Sequence, residues 1–171
     1  RKAFLQADYR SAQHFFQISA KQDPANLEPL IKLSACASIL GQPRLARTHA
    51  TSGISLVDQS PVMLAELADQ LSLVGESEAA YRVIGQLQPE ISFSAHSKAS
   101  IATTLHRIAK LDEALLWISQ AASEVNNDAK HAPIHAFHGE MLRFHARKAD
   151  ADAAYEKAIR LDPGYAQSYW G

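Results

Sequence analysis

Four histidines fall close together in the last third of the chain: His131, His135, His138 and His145. Their spacing of i, i+4, i+7 and i+14 places them near one stripe of a helix. Imidazoles three or four residues apart on a helix can share a metal ion. The set lacks a third ligand, because no cysteine or carboxylate completes it nearby in sequence and Glu140 falls on the opposite face. The histidines are therefore read as packed or solvated rings, with no metal site and no cofactor expected. Cys36 is the single cysteine and is flanked by Ala35 and Ala37, which marks a small core residue rather than a reactive thiol. One cysteine closes no internal disulfide, so the redox compartment stays open, with a cytoplasmic location as the default. There is no Gly-rich phosphate loop, nucleophile elbow, His-Glu-x-x-His or paired-cysteine motif. No catalysis is expected of this chain.

Composition narrows the partners. The chain has 171 residues, 47% of them hydrophobic and 20% charged, with 17 basic and 18 acidic side chains and a formal net charge of -1. This length buries a sizeable core without disulfide or metal. The charge balance gives neither the basic footprint of a nucleic-acid binder nor a polybasic membrane surface. No run of about twenty apolar residues exists to span a bilayer. Seven Gly and seven Pro are few for a turn-rich β domain, and the Ala- and Leu-dominated apolar set favours helices.

The elements that position these residues repeat. Ala12, Ala46, Ala80 and Ala114 are spaced by thirty-four residues, and Ala151 follows after thirty-seven. In the same phase a small residue recurs at Ser34, Ala68, Ala102 and Gly139. Ala37, Leu71, Leu105 and Leu142 form one apolar column, and Leu33, Leu67 and Ile101, with His138, form another. A larger side chain follows the Ala at Phe16, Ile84, Ile118 and Tyr155, with Ala50 the small exception. Turn formers or helix starters close each unit at Pro24, Asp58, Ser92, Asn126 and Pro163. Each unit thus holds two amphipathic helices that cross closely at the small residues, and stacked neighbours complete the core.

Small-then-aliphatic in a first helix, then Ala, an aromatic and a closing Asp-Pro in a second, resembles the tetratricopeptide repeat. The last unit carries the pattern best, in Gly139, Leu142, Ala151, Tyr155, Ala158 and Asp162-Pro163. The opening stretch from Asp8 through Ala12 and Phe16 to Pro24 reads as a second half-repeat. The middle units depart from it: Leu30, Leu64, Lys98 and His135 stand at the aromatic-rich fourth position, and Gly53 and Leu87 replace the usual Ala. The resemblance implies an all-α fold, a right-handed superhelical solenoid of antiparallel helix pairs, as a single domain over 1–171. Residues 1–26 are a partial repeat with a helix over 8–22. Full repeats run 27–60, 61–94, 95–128 and 132–165, and 166–171 begins a further helix. Gly41 and Gly75 are expected as left-handed caps, and Pro29, Pro61 and Pro133 in first turns. With no initiator Met and both ends inside a repeat, the chain is expected to be a piece of a longer array or multidomain protein. Weak self-association is expected through exposed end repeats, at Phe4, Leu5, Phe15 and Phe16 and at Tyr169 and Trp170.

The resemblance also implies a function, binding of a protein or peptide along the concave face of the first helices. The groove positions carried over are Glu28, Ile31, Ala35 and Ser38; Val62, Ala65, Asp69 and Ser72; His96, Ala99, Thr103 and His106; and Pro133, Ala136, Glu140 and Arg143. Glu28, Ile31, Asp69, Ser72, His96, Thr103, His106, Glu140 and Arg143 are the candidate partner-binding residues. Phe137 and Phe144 lie beside that face and are expected to pack on the next first helix, which begins at Tyr169-Trp170. The Lys and Asn that clamp a C-terminal carboxylate in chaperone-binding relatives are absent, since those slots hold Ile31 and Ala35, Ala65 and Asp69, Ala99 and Thr103, and Ala136 and Glu140. Two alternatives stand beside this one. The closing Leu161 to Trp170 resembles repeats preceding sulfotransferase-type domains in bacterial enzymes, where the array would position a substrate. A histidine-rich metal-binding module is the other. His135 and His138 coincide with positions facing the partner helix, which favours packed rings.

Overall fold

The structure, a computed structural model, describes residues 8–56, 60–87 and 93–164. Among the described residues every regular element is helical. Nine α-helices follow one another: α1 (Tyr9–Gln22), α2 (Leu27–Ile39), α3 (Pro43–Gly53), α4 (Pro61–Leu73), α5 (Ser77–Ile84), α6 (Ala95–Arg107), α7 (Leu111–Glu124), α8 (Ala132–Phe144) and α9 (Lys148–Leu161). A short 3-10 turn, Ala129–His131, precedes α8. The starts of α2, α4 and α6 are thirty-four residues apart, as are those of α1, α3, α5 and α7; the start of α8 and that of α9 each follow after thirty-seven. The all-α expectation holds, and the helices keep the phase of the Ala column. None of them is long and apolar enough to cross a membrane.

The sequence reads as one repeat domain over 1–171, and the chain divides into two compact units, Arg1–Ile91 and Ser92–Gly171. In the first, α2 packs on α1 and α3, α4 packs on α5, and α4 also meets α2 and α3. In the second, α6 packs on α7, α7 on α8 and α8 on α9. Of the residues expected to carry association through the ends, Phe4, Leu5, Tyr169 and Trp170 lie outside the described residues, Phe15 is exposed, and Phe16 is buried in the core instead.

Three of the four first helices start on a side-chain cap, which α8 lacks, and all four close in the same way. Asn26, Ser60 and Ser94 cap α2, α4 and α6, their side-chain oxygens accepting from the backbone N–H of Glu28 (3.0 Å), Met63 (3.3 Å) and Ser97 (3.1 Å). Each first helix then closes on a residue of positive φ: Gly41 at 68°, Gly75 at 84°, Ala109 at 61° and Ala146 at 57°. The next N–H reaches back five residues, from Gln42 to Ala37 (2.8 Å), Glu76 to Leu71 (2.8 Å), Lys110 to Leu105 (2.9 Å) and Arg147 to Leu142 (3.0 Å). This is the Schellman closure, which satisfies carbonyls that the helix end would leave bare. It turns the chain back within two residues, so each second helix runs antiparallel to its first.

The repeated columns are the core. Ala12, Ala46, Ala80, Ala114 and Ala151 are all buried, as are Ser34, Ala68, Ala102 and Gly139. A Cβ on Gly139 would stand 2.9 Å from two ring carbons of Tyr155, so glycine lets α8 and α9 cross with an aromatic between them. Gly53 departs from the usual Ala for a similar reason, because methyls of Leu27 and Leu67 lie 2.7 and 2.9 Å from where its Cβ would be. In the first unit Ala12, Phe16, Leu33 and Cys36 form one cluster; in the second, Leu142, Ala151 and Ala154 pack with Leu115 and Tyr155.

Candidate functional site

In the second unit α6 and α8 bring together residues that the sequence places on and beside the groove face. The His106 ring, in the last turn of α6, lies 5.7 Å from Phe137 at an interplanar angle of 69° and 5.7 Å from Phe144 at 43°. Phe137 and Phe144 are two turns apart on α8 and so share a face. The ring contacts are edge-on or tilted, the geometry that aromatic quadrupoles favour. His106 and Phe137 are half-buried, while Phe144 remains 53% exposed. His96 and Thr103 stand exposed on α6, each three residues before another groove position, Ala99 and His106. Glu140 is half-buried and Arg143 exposed on α8, and neither forms an ion pair within the described residues. The result is an aromatic surface with one cation and one carboxylate at its edge.

The equivalent positions in the first unit are more closed. Glu28 and Asp69 are half-buried, and Ser38 and Val62 are exposed. Ile31 and Ser72 are 2% and 7% exposed and present no surface. Ser72 donates its hydroxyl to the Asp69 carbonyl at 2.7 Å. Lys32 and Glu66, one repeat apart on α2 and α4, pair at 2.8 Å.

The histidine stripe separates into individual environments. His145 donates from Nδ1 to the Met141 carbonyl (2.8 Å) and from Nε2 to Asp112 (2.9 Å), an arrangement that needs both nitrogens protonated. Those bonds raise its pKa, the Met141 carbonyl first and Asp112 second. His138 occupies a column that is aliphatic in the other repeats, and its Nε2 lies 3.1 Å from the Ser119 hydroxyl. His135 is 2% exposed and its Nε2 has no hydrogen-bond partner. Burial first, then Lys157, His138 and His131, pushes its pKa down to about 4. Among the described residues no three His, Cys, Asp or Glu side chains stand together as a metal site. Cys36 is fully buried, and burial raises its thiol pKa away from reactivity.

Solved structures match over nearly the whole chain. MamA aligns at a TM-score of 0.70 and 17% identity over 97% of this chain and 95% of its own. YrrB, a TPR protein with an unusual peptide-binding site, aligns at 0.65 and 14% over 95% and 82%. The C-terminal part of a TPR repeat-containing protein from Cytophaga hutchinsonii aligns at 0.66 and 14% over 94% and 62%. The fold is that of the tetratricopeptide repeat. No family model matches the chain, and no curated protein does.

The tetratricopeptide pattern did not disclose everything the fold assembles. Phe93, just before the Ser94 cap, packs edge-on against Trp117 at 5.7 Å and covers the start of α6. Lys98, at the fourth position of its first helix, pairs with Glu124 of α7 instead of packing as an aromatic would. Ser119, Arg147, Asp150 and Lys157 line a cleft with His135 and His138. Only the two histidines drew notice in sequence, because their companions lie on neighbouring helices at separations that no local motif records.

Proposed function

We propose that this chain is a protein-interaction scaffold whose first helices bind a segment of a partner protein. The observation that carries the reading is the His106–Phe137–Phe144 cluster, because it keeps a half-open aromatic surface beside the groove positions. A large aromatic left accessible beside polar neighbours is the usual form of a binding anchor. His96, Thr103, Glu140 and Arg143 supply hydrogen-bonding and charged contacts around it, and Arg143 favours an acidic group on the partner. On the first unit the corresponding contacts come from Glu28 and Asp69, while Ile31 and Ser72 support the face from beneath. The tetratricopeptide fold supports this reading, since stacked helix pairs leave a face of first helices open to a peptide or helix.

Peptides selected from a displayed random library against the whole chain test it. The expected result is that Phe144→Ala weakens the selected peptides about tenfold or more. Leu116→Ala, at a 64% exposed apolar position on the second helix α7, should leave them unchanged. Equal loss in both variants, or no loss in Phe144→Ala, would reject the assignment.

A further inference from the structure

A second concavity of the Ser92–Gly171 unit lies where α7, α8 and α9 meet. It is an open cleft of about 390 Å³, and His135, His138, Ser119, Arg147, Asp150 and Lys157 carry its chemistry. Most of these groups are donors or cations. His135 brings a buried Nε2 without a partner, and His138 meets Ser119 through Nε2. Arg147 holds Asp150 through Nε (2.8 Å) and Nη2 (2.7 Å), which leaves its other N–H groups unspent. Lys157 has no ion-pair partner among the described residues. Asp150 is the one carboxylate among the lining residues, so two cations face one anion.

The electrostatics agree with this geometry. After burial, Lys157 is the next influence lowering the pKa of His135, and Arg147 the next lowering that of His138. Each cation therefore acts on one of the two imidazoles, and Asp150 opposes Arg147 at His138. The groups acting on His135 are Lys157 from α9, His138 from α8 and His131 from the 3-10 turn; α7 contributes hydroxyls to the cleft. An entering anion would relieve this field, which is how cationic, donor-lined clefts select oxyanions.

We propose that this cleft binds a small oxyanion of the phosphate class, held by Lys157 and Arg147 with His135 and Ser119 as further donors, His138 spending its Nε2 proton on the Ser119 hydroxyl. The donors stand on three separate helices, which suits the tetrahedral oxygens of phosphate better than the planar pair of a carboxylate. The site is independent of the partner face on α6 and α8.

The test follows the imidazole ¹H–¹⁵N signals of the whole chain during titration with inorganic phosphate, with chloride holding the ionic strength constant. Saturable shifts of His135 and His138, without a matching shift of exposed His96, are expected. Lys157→Gln, which changes a side chain outside the core, should weaken the response about tenfold while leaving the helical circular dichroism unchanged. Absence of a saturable shift, or a response undiminished in Lys157→Gln, would overturn the proposal. Acetate acting as strongly as phosphate would overturn it too, by making the site a carboxylate site.

Discussion

His135 and His145 lie ten residues apart and their pKa values are shifted in opposite directions, because one ring is buried beside a cation and the other is bonded to a carbonyl and a carboxylate. The unfolded chain binds a proton at His135 near the ordinary 6.5, whereas the folded chain resists until about 4. Stability contributed by neutral His135 is therefore present above 6.5 and lost as pH falls toward 4, and His138 adds with the same sign. His145 acts the other way: its contribution is complete below 6.5 and lost as pH rises through its raised value. In urea unfolding across pH 4.5 to 7.5, His135→Leu should lose less stability on acidification than the parent chain. Parallel curves for the two would show that His135 is not a buried neutral ring. Ser34 makes a simpler case, since its hydroxyl is buried without a partner in a column that is otherwise Ala or Gly. Ser34→Ala should stabilise the chain by about 1 kcal/mol in the same assay. Residue roles were partly legible in sequence. Cys36 reads as core from its small neighbours, but nothing local reveals that Lys157 acts on His135 from another helix.

Among the elements, the four first-helix closures share one geometry but not one residue type. Gly41 and Gly75 could be read as left-handed caps from glycine alone, whereas Ala109 and Ala146 adopt the same conformation because the repeat demands the turn. An L-residue there is strained by its Cβ, so Ala109→Gly and Ala146→Gly should each stabilise by about 0.5–1 kcal/mol after the loss of backbone entropy in glycine. Thermal unfolding checks this, and a fall in melting temperature for both would contradict the closure described. The crossing of α8 and α9 makes the opposite prediction. Gly139→Ala should destabilise by about 1–2 kcal/mol because the Tyr155 ring stands in the way. In a Tyr155→Ile background, which copies the residue types at Ala102 and Ile118, the same change should be neutral or favourable. The small-residue column was legible in sequence as a close crossing. That its last member is Gly because its counterpart is Tyr follows from the contact.

At the scale of the whole molecule, the phase of one Ala column set the helix starts among the described residues, because each helix pair buries its face only against its neighbours. The partner face is less legible. The resemblance implied sixteen groove positions, yet helix packing closes Ile31, Ala65, Ser72 and Ala136, and more of the exposed ones fall on α6 and α8. Phe137 and Phe144 were expected to pack on a following helix whose Tyr169 and Trp170 lie outside the described residues; within those described, they meet His106. The central claim is that a partner segment is recognised on this face. Backbone chemical-shift mapping of the chain with a selected peptide tests it most directly. The account predicts the largest perturbations at Thr103, His106, Phe137, Glu140, Arg143 and Phe144. Perturbations centred instead on the second helices, around Leu116 and Ile159, would contradict it.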